Sequence, residues 1–402
     1  MASRRHFLST TIQSAGMLAM GATGLSRMAS AATQATTPVT TTVDYGQTRG
    51  GALTLVASSP WLCNAVALTS KGQTFMGLPR WQGSETTPSV GKLLPDGTIQ
   101  PFPGGAWNTW SSGKPTKDAF VCVNTIHIFD DDTLWVVDQG TPFQGKMVDR
   151  DAFKILQFDT RTGALLRRLT FDMTTLPPGA LLNDIRLDSE NAYFTDSGAG
   201  AIVVVNLRSG RVLRRLADHP STKMQASRPP YAEDGYLLQQ PDGKAAVTNS
   251  DPIEISPDGN WLYYQPLTGP LYRVPTAALR DPNLSEAALG AMVEMVYDTP
   301  PLTGTAIDST GLLYFAEMDR PRITVYDPAA KRLAVLVEDT RLWGPDALFI
   351  SRQRELYIPV PQSHRVAANR GPHGKDLVQH PWRVYKIALP DWAGTQERVP
   401  AV

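Results

Sequence analysis

The stretch Asp251-Pro-Ile-Glu-Ile-Ser-Pro-Asp-Gly-Asn-Trp-Leu-Tyr-Tyr264 combines a polar first residue, an alternating strand, a tight turn and an aromatic strand. Ile253 and Ile255 alternate with other residues, as they do in a half-buried β-strand. Ser-Pro-Asp-Gly is a turn signal, and the aromatic run after it favours a second strand. The stretch therefore predicts two antiparallel strands joined by a turn.

The same pattern occurs six times along the chain. The other five copies begin at Asn64, Asn124, Asn183, Gly304 and Pro345, so successive starts lie 60, 59, 68, 53 and 41 residues apart. Repeats of this size, built of short strands, are typical of a β-propeller with one copy per blade. The sequence predicts an all-β fold, a single six-bladed β-propeller over residues 51–395. The apolar segment 52–56 precedes the first copy, and we expect it to pair with the last blade and close the ring.

Charge and composition exclude several classes of partner. The formal net charge is zero, from 38 basic and 38 acidic residues, and no basic patch indicates nucleic-acid binding. The chain has 32 Gly and 32 Pro among its 402 residues, which suits a fold with many turns. The sequence carries no signal for oligomeric state.

The N-terminal residues resemble a targeting segment. Ser3-Arg4-Arg5-His6-Phe7-Leu8 is similar to a twin-arginine export signal, and a weakly apolar stretch and Ala29-Ser30-Ala31 follow it. An alternative is a chance arginine pair on an ordinary secretory signal. In both cases we expect residues 1–31 to be an export signal, 32–50 a linker, and the mature protein to be periplasmic or extracellular. The apolar stretch is too short and interrupted to span a membrane, so the mature form is expected to have no membrane partner.

Cys63 and Cys122, the two cysteines, each precede the polar residue of a repeat. Equivalent positions of neighbouring blades approach each other, so a disulfide is one interpretation for an exported protein. Two separate buried thiols that behave as small apolar side chains are the other.

Two stretches interrupt the repeat, residues 218–249 and 362–382. The second holds His364, His373 and His380, whose spacing matches no standard metal site. Long loops on a rigid scaffold often determine specificity, and solvent-exposed insertions are the alternative.

Each copy places a polar residue where its first strand begins, and these residues are expected to meet at one mouth of the channel. They are Asn64, Asn124, Asn183, Asp251, Thr305 and Asp346, with Asp184 beside Asn183. Such a concave polar ring is typical of a small-molecule site, and the alternative is that the side chains cap strand ends and turns.

The chemistry of this ring leaves two uses open. Carboxylate and amide oxygens are ligands for Ca²⁺ or a similar divalent cation, in which case Asn183 and Asp251 are the expected ligands. The carboxylates of Asp251 and Asp184 are alternatively suited to bind an ammonium group or to accept a proton from a carbon next to an iminium.

A second layer lies further along three consecutive first strands. His127 is a candidate general base near neutral pH, and Glu254 is a further candidate catalytic carboxylate. Glu254 and Arg186 are alternatively an ion pair between blades. Arg80 and Trp81 follow the first aromatic strand and are candidates for the channel rim, with a structural stacked pair as the alternative.

Several phrases resemble those of the major royal jelly and yellow protein family. They are Phe75-Met-Gly-Leu-Pro-Arg-Trp81, Leu134-Trp-Val-Val-Asp-Gln-Gly140, Asp218-His-Pro-Ser221, Leu271-Tyr-Arg-Val-Pro-Thr276 and Trp343-Gly-Pro-Asp346. The resemblance spans about residues 50–390 and implies a secreted six-bladed propeller. The family includes dopachrome tautomerases, binders of biogenic amines and proteins without known catalysis, so the resemblance fixes the fold better than the activity.

The chain is more distantly similar to senescence-marker and gluconolactonase propellers, lactonases whose channel ion is held by Glu, Asn and Asp. Asn183 and Asp346 stand in phrases similar to theirs, but their Glu-Gly-Pro phrase is absent here. Three functions therefore remain open: binding of a small aromatic or cationic molecule with tautomerase-like isomerisation, metal-dependent lactone hydrolysis, and binding without catalysis.

Overall fold

The structure, a computed structural model, describes residues 41–42, 52–81, 87–142 and 147–401. The predicted export signal (1–31) and all of the linker except Thr41 and Thr42 lie outside the described residues.

Almost all of the regular structure is β. The first thirteen strands in chain order are β1 (Thr41–Thr42), β2 (Thr54–Ser59), β3 (Ala65–Leu68), β4 (Thr74–Gly77), β5 (Val90–Leu93), β6 (Ile99–Pro101), β7 (Val123–Ile128), β8 (Thr133–Asp138), β9 (Lys154–Asp159), β10 (Leu165–Leu169), β11 (Leu182–Leu187), β12 (Asn191–Asp196) and β13 (Ala201–Asn206). The next twelve are β14 (Val212–Arg215), β15 (Ser250–Ile255), β16 (Trp261–Pro266), β17 (Leu271–Pro275), β18 (Glu294–Tyr297), β19 (Leu302–Ile307), β20 (Leu313–Glu317), β21 (Arg322–Asp327), β22 (Arg332–Glu338), β23 (Phe349–Ile350), β24 (Glu355–Val360) and β25 (Trp382–Ala388).

Among the residues that the structure describes, helices are few and short. The two α-helices found there are α1 (Thr276–Arg280) and α2 (Glu286–Gly290), both between β17 and β18. The 3₁₀ turns are Gly105–Asn108, Pro220–Thr222, Glu233–Gly235, Thr340–Leu342, Ser363–Arg365 and Ala367–Asn369. Within the described ranges, none of the helices has the length and apolar character required to cross a bilayer.

The strands form six sheets, which confirms the predicted six-bladed propeller. Four blades are simple four-stranded meanders, β3–β6, β7–β10, β11–β14 and β15–β18. The fifth blade, β19–β22, also carries β1, which pairs parallel with β22. The first strand of each blade contacts the first strand of the next, and β23 returns to β3. The six inner strands therefore form a closed ring around a central channel.

The ring is closed by strands from both parts of the chain. The sixth blade has the order β2-β25-β24-β23, and β2 pairs antiparallel with β25 from Thr54↔Lys386 to Ser59↔Trp382. The expected pairing of the 52–56 segment with the last blade is confirmed. Because one blade holds both ends of the propeller, opening the ring requires breaking this pairing.

The aromatic second strands supply the core between blades. Their rings include Phe75, Trp135, Phe194, Tyr264 and Tyr314, all of which are buried. Apolar clusters span neighbouring blades, for example Tyr193 and Ile202 with Ile253 and Tyr264. The repeated aromatic residues therefore stabilise the ring by filling the wedge between adjacent sheets.

The starts of four inner strands, β7, β11, β15 and β19, are irregular in a way that serves the channel. The pairing register shifts between Val123 and Thr125 in β7 and between Leu182 and Ile185 in β11, and similar shifts occur in β15 and β19. Such bulges re-aim a side chain without ending the strand. The carboxylate of Asp138 fixes the segment before β7 by accepting from the backbone N–H groups of Val121 and Cys122.

The C-terminal segment closes the other end of the channel. The backbone N–H of Ser309 donates to the carbonyl of Thr395, and Ser189 donates to Pro400. The side-chain amide of Gln396 donates to the carbonyl of Ile128 at 2.8 Å. These partners belong to three different blades, at or just beyond the ends of their inner strands, so residues 394–400 cross the channel opposite to the polar ring.

Cys63 and Cys122 are free, buried thiols, which favours the second interpretation of the pair. Burial raises the pKa of both, that of Cys122 to about 12. Both side chains therefore behave as small apolar groups of the core.

Candidate functional site

A cavity of about 460 Å³ lies at the polar end of the channel. The structure brings five of the six predicted ring residues to its wall, together with Trp81: Asn64, Asn124, Asn183, Asp251 and Asp346. A volume of this size accommodates a small organic ligand.

The ring residue of the fifth blade differs from the expected one. In β7, β11 and β15 the polar residue is the second residue of a six-residue strand, and the second residue of β19 is Thr303. Thr303 lines the cavity, whereas Thr305 lies deeper and donates its hydroxyl to Oε1 of Glu254 at 2.8 Å. The sequence pattern assigned Thr305 to the ring in place of Thr303. The stretch Thr303-Gly-Thr305 offers two similar residues two positions apart, and the earlier one is the ring residue.

The amides of the ring are joined by hydrogen bonds in one direction. Asn64 donates to the carbonyl of Asn124, and Asn124 donates to Oδ1 of Asn183 at 2.6 Å. Asn183 in turn donates to Oδ1 of Asp251 at 2.8 Å. Oδ1 of Asn64 is buried and has no hydrogen-bond partner among the described residues. The chain of amides thus fixes the rotamers of the ring and leaves one acceptor for a ligand donor.

Two carboxyl groups in the cavity wall lack a positive partner. Among the described residues, no Lys or Arg lines the cavity, and no cationic side chain forms an ion pair with Asp251 or Asp346. Burial and the nearby carboxyl groups of Asp346 and Asp184 raise the pKa of Asp251 well above its usual value. Burial also raises the pKa of Asp346, with a further contribution from Asp184. The site therefore carries excess negative charge when these groups ionise.

Asp184 lies next to the ring but is not part of the cavity wall. Its Oδ1 accepts from the N–H of Ile185, and its Oδ2 is 3.0 Å from Nη1 of Arg186. The structure therefore places Asp184 between the cavity and the deeper layer, where its charge acts on both.

The two interruptions of the repeat fold together over the cavity mouth and form a lid. The first, 218–249, supplies Leu238, Gln240, Ala246 and Val247 to the wall, and the second, 362–382, supplies Ser363, His364, Ala368 and Asn369. The N–H of Gln239 donates to the carbonyl of Asn369, and Arg365 binds Glu233 through two hydrogen bonds of 2.9 and 2.7 Å. These insertions are therefore part of the site and not merely exposed loops.

Gly344 allows the lid to approach the ring. It has a φ of +67°, and a Cβ at this position would lie 2.4 Å from Nδ1 of His364. Any other residue would meet both a strained backbone and the histidine ring. The Gly of the Trp343-Gly-Pro-Asp346 phrase thus places His364 beside the segment that carries Asp346.

His127 and Glu254 do not reach this cavity. With Arg186 and Glu397 they surround a separate void of about 10 Å³ near the closed end of the channel. Arg186 donates Nε and Nη2 to the two carboxylate oxygens of Glu254, both at 2.8 Å, and Nε2 of His127 lies 3.0 Å from Oε1 of Glu397. The ion pair between blades predicted as the alternative for Arg186 and Glu254 is present.

Burial controls the ionisation of this deep cluster. Burial, with the nearby charge of Arg186, lowers the pKa of His127 to about 3, so its imidazole is neutral at physiological pH. Burial raises the pKa of Glu254 and of Glu397, although the guanidinium of Arg186 opposes both shifts. Glu397 was not found from the sequence, because it belongs to the non-repeating C-terminal segment.

Arg80 and Trp81 separate in the structure. Trp81 lines the cavity, whereas Arg80 is fully buried and donates to Ser89 and to the carbonyls of Thr87, Phe120 and Val121. Its guanidinium also lies 5.7 Å from the ring centre of Trp110. The prediction that Arg80 lies on the channel rim is wrong. Its side chain turns inward and donates to backbone carbonyls that would otherwise be unpaired.

The ring fits a preformed divalent metal site poorly. Oδ1 of Asn183 already accepts from Asn124, Oδ1 of Asp251 from Asn183, and Oδ1 of Asp346 from the N–H of Ala347. Across the described parts of the chain, no three His, Cys, Asp or Glu side chains are arranged to hold a metal ion. No step of the proposed chemistry is therefore assigned to a metal.

The sequence profile of the major royal jelly protein family matches residues 121–369, more than half of the chain. The protein belongs to this family. The family resemblance seen in the sequence is thereby confirmed. No sequence among curated proteins matches the chain significantly.

Several solved structures resemble the fold of this chain, although their sequence identity with it is low. Regucalcin from Agrobacterium tumefaciens strain C58, described as a calcium-binding protein, has a TM-score of 0.52 and 15% identity, covering 87% of this chain and 97% of its own. A luciferin-regenerating enzyme has a TM-score of 0.52 and 11% identity, covering 88% and 99%. A gluconolactonase from Xanthomonas campestris has a TM-score of 0.50 and 13% identity, covering 85% and 92%. At these identities the likeness shows a shared propeller fold only.

Proposed function

We propose that this family member is an exported protein that binds a small aromatic cation in the lidded cavity. The observation that supports the proposal most strongly is the pair of carboxyl groups, Asp251 and Asp346, that face the cavity without a cationic partner among the described residues. A ligand ammonium group would supply the missing charge. Trp81, Leu238 and Met318 in the wall offer apolar contact for the ring of such a ligand.

The lid strengthens the electrostatic attraction. Because it covers the cavity mouth, a bound ammonium would interact with Asp251 and Asp346 away from bulk water, where charge–charge interactions are less screened. Oδ1 of Asn64 is a further acceptor for the ammonium hydrogens. The amide ring fixes these acceptors before the ligand arrives, which lowers the entropy cost of binding.

The same carboxyl groups suit a tautomerase-like isomerisation. For a ligand with an iminium-conjugated carbon, a carboxylate of Asp251 or Asp346 would take the proton from the adjacent carbon, and the bond electrons would shift toward the iminium nitrogen. Return of that proton to another atom of the ligand completes the tautomerisation without an added reactant. The neutral His127 lies in the deeper cluster and is not given a role in this step.

Calorimetric titration with matched ligands tests the binding proposal. Tryptamine is expected to bind, and its neutral analogue tryptophol at least tenfold more weakly, because a charge-assisted hydrogen bond contributes about 1.5–3 kcal/mol. Asp251→Asn and Asp346→Asn should remove most of this preference, whereas Asp96→Asn at an exposed turn should not. Equal affinity for the amine and the alcohol would overturn the proposal.

Turnover is tested separately. Dopachrome decay, followed by absorbance, should be faster with the protein than in buffer, and Asp251→Asn combined with Asp346→Asn should abolish the difference. Binding of amines without any acceleration would identify a binding protein that does not catalyse. Hydrolysis of a lactone panel that depends on added Ca²⁺ would instead support the lactonase alternative.

A further inference from the structure

A second cavity, of about 150 Å³, lies where the fifth and sixth blades meet. Its wall includes Arg341 from the connection between these blades, Arg365 from the lid, and Arg383 with Tyr385 from β25. It shares no lining residue with the main cavity among the described residues. It is therefore a separate site, and the family fold and the proposed function do not explain its composition.

The charge of this second cavity is unbalanced. Arg341 is paired with Asp339, and Arg365 is paired with Glu233. For Arg383 the described residues provide neither an ion pair nor a side-chain hydrogen bond, and no Asp or Glu lines the cavity. The wall thus holds three guanidinium groups, and two of them are paired with carboxylates that lie outside the wall. The positive charge of the third, Arg383, has no counter-ion among the described residues.

Aromatic contacts hold two of the guanidinium groups in position. The Arg341 guanidinium lies 5.6 Å from the ring centre of Tyr385, and that of Arg365 lies 6.0 Å from the ring centre of Trp343. Arg383 and Tyr385 are two residues apart on one strand and so lie on the same face of the sheet. The unpaired Arg383 is therefore presented beside two positioned cations in a concave, donor-rich site.

We propose that this second cavity binds a small oxyanion, such as phosphate or a short carboxylate, through Arg383. The planar guanidinium presents parallel N–H donors that match two oxygens of either group. One negative charge is what the cluster lacks, and a cavity of about 150 Å³ holds an anion of only a few non-hydrogen atoms. Arg341 and Arg365 add positive potential while remaining bound to their own carboxylates.

Calorimetry with inorganic phosphate at constant ionic strength, set with NaCl, tests the site. The wild-type protein should bind phosphate or acetate, which are titrated in two separate series. The anion that binds more tightly identifies the preferred class of oxyanion. Arg383→Met should weaken binding at least about tenfold, since a bidentate charge-assisted pair is lost. Arg383→Lys, which keeps the charge but loses the planar fork, should show an intermediate loss.

Arg208→Met is the matched control, because Arg208 is an exposed arginine far from this wall. The Arg208→Met variant should bind the anion with the same affinity as the wild type. Arg383→Gln provides a second variant if the methionine variant has a lowered urea midpoint. No binding of either anion to the folded wild type, or equal affinity in the wild type and a folded Arg383 variant, would overturn the proposal. Neither result would bear on amine binding in the main cavity, so the two proposals fail independently.

Discussion

Arg186→Met is expected to destabilise the propeller strongly, because it removes the cation of the deep cluster. The Arg186 side chain is only 2% exposed and donates to both oxygens of Glu254 and to Asp184. Burial alone would lower the pKa of Arg186, but the surrounding carboxylates raise it well above its usual value. Its loss would leave carboxyl groups buried without a counter-ion.

The magnitude follows from this geometry. Removing one partner of a buried ion pair costs about 3–5 kcal/mol of unfolding free energy. At about 2.1 cal/mol/K per residue for roughly 350 residues, this loss lowers Tm by about 4–7 °C. Urea denaturation followed by tryptophan fluorescence measures the free energy, and thermal scans measure the Tm.

The pH dependence identifies the cause of the loss. Without Arg186, the pKa values of Glu254 and Glu397 rise further in the folded state, so the folded variant binds more protons than the unfolded chain. Its stability therefore decreases as pH rises above the ordinary glutamate range, and the difference from the wild type should narrow as pH falls toward about 4.5.

Two variants make the test specific. Arg186→Met combined with Glu254→Gln should recover part of the lost stability, because an unpaired charge is removed. Arg208→Met, at an exposed arginine 3.9 Å from Glu190, should change the unfolding free energy by less than about 0.5 kcal/mol. A loss below about 1 kcal/mol for Arg186→Met, or a loss that is the same at pH 5 and pH 8, would refute the reasoning.

Three further predictions concern the cavity, the C-terminal segment and export. Asp346→Asn should raise the unfolding free energy by about 1–3 kcal/mol at neutral pH, because ionisation of a half-buried carboxyl with a raised pKa opposes folding, and the gain should vanish near pH 4 in denaturation curves. Deleting residues 394–402 should cost at least about 2 kcal/mol, as measured by urea midpoints, because the lost hydrogen bonds include those with Ile128, Ser189, Asp308 and Ser309, each worth about 0.5–1.5 kcal/mol. Replacing Arg4 and Arg5 by Lys should block export if residues 1–31 act as a twin-arginine signal, and cell fractionation would detect continued export as the contrary result.

The repeat allowed the fold and most of the ring to be predicted from the sequence. Asn124, Asn183 and Asp251 share one position of three consecutive copies, and in a propeller such positions must converge on the axis. Thr305 was misplaced because sequence similarity cannot distinguish it from Thr303, two residues earlier, whereas the strand pairing can.

Features outside the repeat could not be predicted in the same way. A hydrogen bond between Gln239 and Asn369 joins the two insertions of the lid. Because neither insertion has a periodic sequence, the repeat pattern could not predict that they pack together. Glu397 reaches the deep cluster from the C-terminal segment, more than two hundred residues from Arg186 in the chain. Arg80 looked like an exposed rim residue because its many acceptors are backbone carbonyls, which no side-chain pattern reveals.

A crystal structure of the protein with bound tryptamine tests the central claim most directly. The account predicts one ligand under the lid, with its ammonium nitrogen within about 3 Å of a carboxylate oxygen of Asp251 or Asp346. Its indole ring should contact the wall that includes Trp81 and Met318. A ligand outside this cavity, or one whose ammonium group points away from both carboxylates, would contradict the account.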